Sequence, residues 1–195
     1  MSNLGERPVR ADARRNVDRI LAVTAELIAV DPGVSMEKVA AAAGVSRATL
    51  YHHFRSRDAL LDVLTDRSIR EVTAALHAAR PDEGAAPEAM ERVLLAAWEV
   101  IGRYRGLVIV NPQRLERSAL RARLAPALAP LRALILRGQA ARAFDPDLPV
   151  EWLVGTLTDL IHAASRQVTS GAMDADTAQR ALLRTAAAAL TSHRR

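Results

Sequence analysis

Positions that recur at steps of three and four run through most of this chain. Val17, Ile20, Thr24 and Leu27, broadened by Leu21 and Ile28, predict a first helix over about residues 11–30. Asp31-Pro32-Gly33 stops it. Two short helices follow, joined by a tight turn. Ser35 is placed to cap the first, which carries Val39, Ala40 and Ala43 inward and stops at Gly44. Ser46 is placed to cap the second, with Val45, Leu50 and Phe54 as its apolar underside. Ser56 then opens a long helix over about 57–79, with Leu60, Leu61, Leu64, Ile69, Val72 and Leu76 inward.

Pro81, Gly84 and Pro87 mark a linker. A helix over about 88–104 carries Val93, Leu94, Ala97, Trp98 and Ile101 on one side. Residues 106–112 are ambiguous. Val108-Ile109-Val110 suits a strand, yet no partner strand is visible, so a short buried helix is expected. Residues 115–143 read as helical, interrupted by Pro126 and Pro130. After a loop at 145–149, a helix over about 150–170 ends at Gly171, and Asp174 opens the last, to about 192. Residues 1–10 lack periodicity and hold Gly5 and Pro8, which predicts a mobile arm. Arg7 and Arg10 within it, and Arg14, Arg15 and Arg19 after it, could approach phosphates or a minor groove.

The expected architecture is all-α. A three-helix module over 11–64, with a helix-turn-helix at 35–54, precedes a larger helical body over 65–195. Composition agrees: half of the 195 residues are hydrophobic, aromatics are only 3%, and alanine and leucine dominate. The absence of cysteine excludes disulfides and thiolate-bound metal. No run of about 18 apolar residues exists, and the polar N-terminus is no secretory signal. A cytoplasmic protein without membrane contact is expected. The net charge of +5 is concentrated in residues 111–144, which alone carry +6. Total charge therefore does not point at the helix-turn-helix. Local patterning does: between Val45 and Arg57 there are three arginines, two histidines and no acid.

A helix-turn-helix lays its second helix in the DNA major groove. Arg47 and Thr49 are the base-reading candidates, since arginine can grip guanine at two points and threonine can touch a thymine methyl. Tyr51 can give its hydroxyl to a phosphate or buttress the rim. His52 and His53 are adjacent, so they lie about 100° apart on a helix and cannot share one metal. One is expected to contact DNA and the other to pack. Arg57, at a helix start, suits a phosphate clamp or a solvated salt bridge.

The run Ser46-Arg47-Ala48-Thr49-Leu50-Tyr51-His52-His53-Phe54, followed by Ser56, Arg57, Ala59 and Leu60, resembles the recognition region of TetR-type transcriptional regulators. The matching layout covers roughly residues 14–64. Ala48 stands where that family often has glycine, and Arg57 where it usually has lysine. The resemblance implies DNA contact from Ser35, Ser46, Arg47, Ala48, Thr49, Tyr51, His52, His53 and Arg57. It also implies a homodimer on a palindromic operator, and repression released by a small molecule.

The body would then hold an effector pocket, for which His77, Trp98, Tyr104, Leu128 and Leu131 are the candidates, with ordinary core as the alternative use. The last two helices carry apolar stripes that fit either a four-helix dimer interface or the subunit's own core. Leu153, Leu157, Leu160, Ile161, Ala164, Ala178, Leu182 and Ala186 are the candidates for the interface. Asp159, His162 and Arg166 share one face, but no second ligand motif accompanies them, so no catalytic residue, metal or cofactor is expected. The competing readings are an activator, or a small-molecule-binding protein whose DNA contact is vestigial.

Overall fold

A computed structural model describes residues 6–191, with the side chains of 6–13 and of Arg117 outside the description. Ten helices run through it: α1 Glu6–Val30, α2 Met36–Ala42, α3 Arg47–His53, α4 Arg57–Ala78, α5 Ala86–Arg103, α6 Arg105–Arg114, α7 Arg117–Leu124, α8 Ala129–Ala140, α9 Val150–Thr169 and α10 Ala175–Leu190. No strand occurs among the described residues. The 106–112 run is helical, as α6. Without a partner strand, a buried backbone must bond to itself.

The main departure in the backbone is at the start. Helix α1 begins at Glu6, not near residue 11, and takes in Pro8. A proline is tolerated in a first turn, where its missing N–H has no intrahelical acceptor. Residues 1–5 of the expected arm, and the side chains of Arg7 and Arg10, lie outside the described part. Pro130 begins α8, while Pro126 falls in the break between α7 and α8.

Two cores result. Ile20, Leu21, Ile28, Val39, Leu50, Phe54, Leu60, Leu61 and Leu64 form the first, closed from the other side by Val100 of α5, Tyr104 at the α5–α6 junction, and Leu107 and Val110 of α6. The second gathers Leu76, Trp98, Leu131, Leu134, Ile135, Leu153, Leu157, Ala178, Leu182 and Ala186. Val72, midway along α4, packs against both. Polar clasps fix α4 between them. Glu71 accepts the Tyr104 hydroxyl at 2.7 Å and is flanked by Arg67 and Arg103, each at 3.1 Å. Asp62 holds Arg114 at 3.0 Å and Arg123 at 3.1 Å, and Arg123 also reaches Asp66. Burial acts to raise the Glu71 pKa, but hydrogen bonds from Tyr104, Arg67 and Arg103 outweigh it and hold the carboxyl below its usual range. Burial and that same carboxylate push the Tyr104 phenol up to about 12.

The stripes on α9 and α10 face inward. Leu153, Leu157, Ile161, Ala178, Leu182 and Ala186 are buried in the second core, and Leu160 and Ala164 pack against it. Of the two uses open to these stripes, the structure shows the subunit's own core. The six buried side chains of the expected interface are therefore used by the subunit's own core, while Leu160 and Ala164 keep part of their surface exposed. What α9 exposes is another face, which includes Trp152, 64% accessible.

Candidate nucleic-acid interface

The turn between α2 and α3 is set by local chemistry. Ser35 caps α2 by accepting the Lys38 N–H at 3.3 Å. Gly44 ends α2 with φ of +63°, a left-handed conformation that costs glycine no Cβ clash. Its N–H bonds the Ala41 carbonyl and the Val45 N–H bonds that of Ala40, the paired closure typical of a glycine-terminated helix. Ser46 then caps α3, accepting the Thr49 N–H at 3.0 Å, with its hydroxyl 2.8 Å from that of Thr49. Such a cap is worth about 0.5–2 kcal/mol, a large share of what holds a seven-residue helix.

Leu50 is fully buried and Phe54 nearly so. That orientation turns Arg47, Ala48, Tyr51 and His52 outward together, all exposed and spaced to share one face. Thr49 and His53 flank this face, half-buried. The His53 ring stands edge-on to His52, with centroids 5.4 Å apart, and leans toward Phe54.

Two arginines have partners that the sequence did not disclose. Arg47 Nη2 donates to Glu37 Oε1 at 2.7 Å, tying α3 to α2 across the turn. Glu37 is held below the usual carboxylate range by its own backbone N–H, then by Ser35 and by the Arg47 charge. Arg57 donates from Nε to the Val34 carbonyl at 3.1 Å and from Nη2 to the Pro32 carbonyl. Two of its donors thus brace the α1–α2 loop against the start of α4, a role that neither the phosphate-clamp nor the salt-bridge expectation included. Exposed cations that the sequence reading did not single out stand nearby: Arg55, between α3 and α4, and Lys38 on α2, loosely paired with Asp31 at 3.6 Å. The acid-free stretch around Arg55 was the signal available for it.

Arg14 lies elsewhere. Asp18 meets Arg67, and Arg14 shares a surface groove of about 440 Å³ with Arg70 and Ala74. Helix α1 therefore runs back along α4, placing Arg14 some 13–17 residues past Arg57, about 20–25 Å by helix rise. Arg19 donates to Asn16 at 2.8 Å.

The effector candidates divide. Trp98 and Leu131 are buried in the second core with Leu128 against it, Tyr104 belongs to the first core, and His77 is exposed on α4. A second concavity of about 440 Å³ sits at the α4–α5 turn, lined by Arg80, Glu83, Gly84 and Arg92. None of the five candidates lines either concavity.

On α9, Asp159 and Arg166 are exposed while His162 is partly buried. Burial pushes the His162 pKa down, opposed by Asp159 and assisted by Arg166. Among the described residues no three His, Cys, Asp or Glu side chains cluster to hold a metal. A depressed histidine pKa means that the unfolded chain protonates first. Stability is unaffected above about pH 6.5 and falls as the pH drops below it. Thermal melts between pH 7.5 and 5, run on the wild type and on His162→Gln as ~ten-point series, are expected to show a shallower acid loss in the variant. Parallel curves would mean that His162 titrates alike in both states.

A capped helix-turn-helix on a three-helix core defines a DNA-reading module joined to a larger helical body. Residues 20–64 match the model of the bacterial regulatory proteins of the tetR family. No curated protein matches the chain by sequence. Solved structures extend the likeness over the whole fold. The TetR-like regulator LfrR from Mycobacterium smegmatis, in complex with proflavine, is 22% identical with a TM-score of 0.74, covering 92% of this chain and 99% of that one. The TetR family regulator PfmR from Thermus thermophilus is 26% identical with a TM-score of 0.68, over 89% and 100% of the two chains. The fatty acid degradation regulator FadR of Bacillus halodurans is 16% identical with a TM-score of 0.70, over 88% and 94%. Residues 20–64 thus match the tetR family's model, and the chain has the fold of TetR-type regulators. Among the described residues, no helix is long and apolar enough to cross a membrane.

Proposed function

We propose that the chain is a ligand-responsive transcriptional repressor that works in the cytoplasm and binds an inverted-repeat operator as a homodimer. The observation that carries this is the outward face of α3, where Arg47, Ala48, Tyr51 and His52 stand exposed on a helix whose other side is buried and whose start is capped. Two such helices related by a two-fold axis would enter successive major grooves about 34–36 Å apart. Arg47 is the base reader in this account. It exchanges Glu37 for a guanine edge, and Glu37 holds it extended until then. Tyr51 gives its hydroxyl to a phosphate. Ser46 holds the start of α3 and Ser35 that of α2, these two and Thr49 offer hydroxyls at the rim, and His52 reaches the backbone or a base edge.

A TetR-like regulator of this fold has been solved in complex with proflavine, which supports a small-molecule effector here. Helix α4 is the element through which an effector would act, since it starts beside the reader, ends in the second core, and touches both cores at Val72. Effector and DNA would then oppose each other reciprocally, by a coupling typically of about 1–3 kcal/mol.

The test is binding of the full chain to duplex DNA from beside its own gene across a salt series. Arg47→Ala is expected to lose about 1–3 kcal/mol and to relax base preference at one position of each half-site. Tyr51→Phe is expected to weaken all sequences alike. Arg57→Ala is expected to lower the melting temperature through its lost carbonyl contacts, and to leave the salt slope nearly unchanged. Equal binding of specific and random duplexes by the wild type would refute sequence-specific regulation.

A further inference from the structure

From Ser35 to Arg57 the chain carries one acid, Glu37, among three arginines, a lysine and two histidines. An anion on a surface that meets phosphates repels them, so its presence there asks for a reason. A carboxylate in the first turn of a helix is favoured by the helix dipole, but that explains only its place on α2. It does not explain its partner. Glu37 Oε1 lies 2.7 Å from Arg47 Nη2, so the acid and the base reader present their charged ends side by side across the turn. Both side chains are exposed, 47% and 67% accessible. Its own backbone N–H, the Ser35 hydroxyl and the Arg47 charge keep the Glu37 carboxyl below its usual range, so at neutral pH it only accepts.

In the major groove a G·C pair presents two acceptors, guanine N7 and O6, beside one donor, the cytosine N4 amino group. O6 and N4 are hydrogen-bonded to each other and so lie about 2.9 Å apart. Arg47 and Glu37 offer the complement: two guanidinium donors beside one carboxylate acceptor, at nearly the same spacing. Of the four orientations of a base pair, only this one sets acceptor, acceptor and donor in that order. An exposed ion pair is weak, so DNA can separate it. Once Arg47 moves onto guanine, the carboxylate has lost its cation and stands among phosphates in need of a donor. The nearest donor on the DNA is then the amino group of the paired cytosine.

We propose that Glu37 is a second base-reading residue, which accepts the N4 hydrogen of the cytosine paired to the guanine that Arg47 grips. This rests on the reading of α3 as a DNA reader and extends the base-reading surface to α2. The two residues together read one G·C pair in each half-site, from both of its strands.

The full chain is first selected on a randomised duplex library, as wild type and as Arg47→Ala. The guanine preference lost in the variant marks the pair. The probe is the selected duplex with N4-methylcytosine at that pair in both half-sites. The methyl group takes the place of the major-groove hydrogen on N4 and leaves the hydrogen that pairs with guanine. Fluorescence anisotropy should show that the wild type binds this probe about fivefold or more weakly per half-site, the low end of what one base contact discriminates. Glu37→Ala should bind methylated and unmodified duplexes alike. Glu37→Gln, whose amide oxygen still accepts, should keep a penalty for methylation. Ser35 still caps α2 in both variants and alanine is a strong helix former, so circular dichroism melts should match the wild type.

Equal binding of all duplexes by the wild type overturns the reading of α3 and this inference with it. A wild type that selects sequence without an Arg47-dependent guanine overturns the roles of both residues. A wild type indifferent to N4 methylation overturns the Glu37 role alone, and needs no variant to do so. An equal penalty in wild type and Glu37→Ala traces the effect to the bulk of the methyl group and also overturns it.

Discussion

Gly106→Ala is expected to destabilise the chain by about 3 kcal/mol, the upper end of what overpacking usually costs, and to weaken DNA binding with it. A Cβ at this position would lie 2.4 Å from Ile28 Cγ1, 2.5 Å from the Ile28 carbonyl carbon and 2.6 Å from its oxygen. Two of those three atoms are main chain inside α1, and Ile28 is fully buried. Neither can swing aside as the tip of a long side chain would. Helix α6 must lift off α1, or α1 must bend, and both loosen the contact between the DNA-reading module and the body. Urea unfolding measures the loss. Gly155→Ala is the matched control, because nothing lies within 4 Å of a Cβ there. Mid-helix alanine is favoured over glycine by up to about 1 kcal/mol, so that variant should be neutral or slightly stabilised. Equal shifts in the two variants would mean that the close approach at Gly106 is not what demands glycine.

What could be read from the sequence follows the distance between interacting residues. The caps Ser35, Ser46, Ser56 and Asp174 each meet a backbone N–H three residues on. Gly44 closes a turn within five residues. These are local contacts, and the helix-turn-helix was legible because it is made almost wholly of them. Arg57 shows the limit. A cation at a helix start suggests an anion outside, but its acceptors are carbonyls 23 and 25 positions earlier, brought near only by the fold. Gly106 carried no local signal, since Ile28 meets it from another helix. The effector candidates failed to gather for a related reason. Periodicity places Trp98 and Tyr104 on buried sides of the helix expected over 88–104 but cannot say which of two cores each side enters.

Periodicity also cannot say what buries a stripe, and α9 turns that ambiguity into a measurement. Leu157→Glu is expected to abolish cooperative folding rather than to yield a folded monomer. Leu157 is 1% exposed within the single subunit, packed among Leu153, Ile161, Ala178 and Leu182. Truncating such a leucine alone costs about 2–5 kcal/mol. The carboxylate adds the penalty of an unpaired charge in an apolar site, which is several kcal/mol or a forced protonation. Together these rival the roughly 5–15 kcal/mol that typically separates folded from unfolded domains. The expected observation is an insoluble or broadly melting protein by circular dichroism. Asp159→Arg, two residues along the same helix but facing out, should melt as the wild type does. A Leu157→Glu chain that is soluble, monomeric and melts normally would return the leucine stripe to the subunit interface. The second core would then have to close without it.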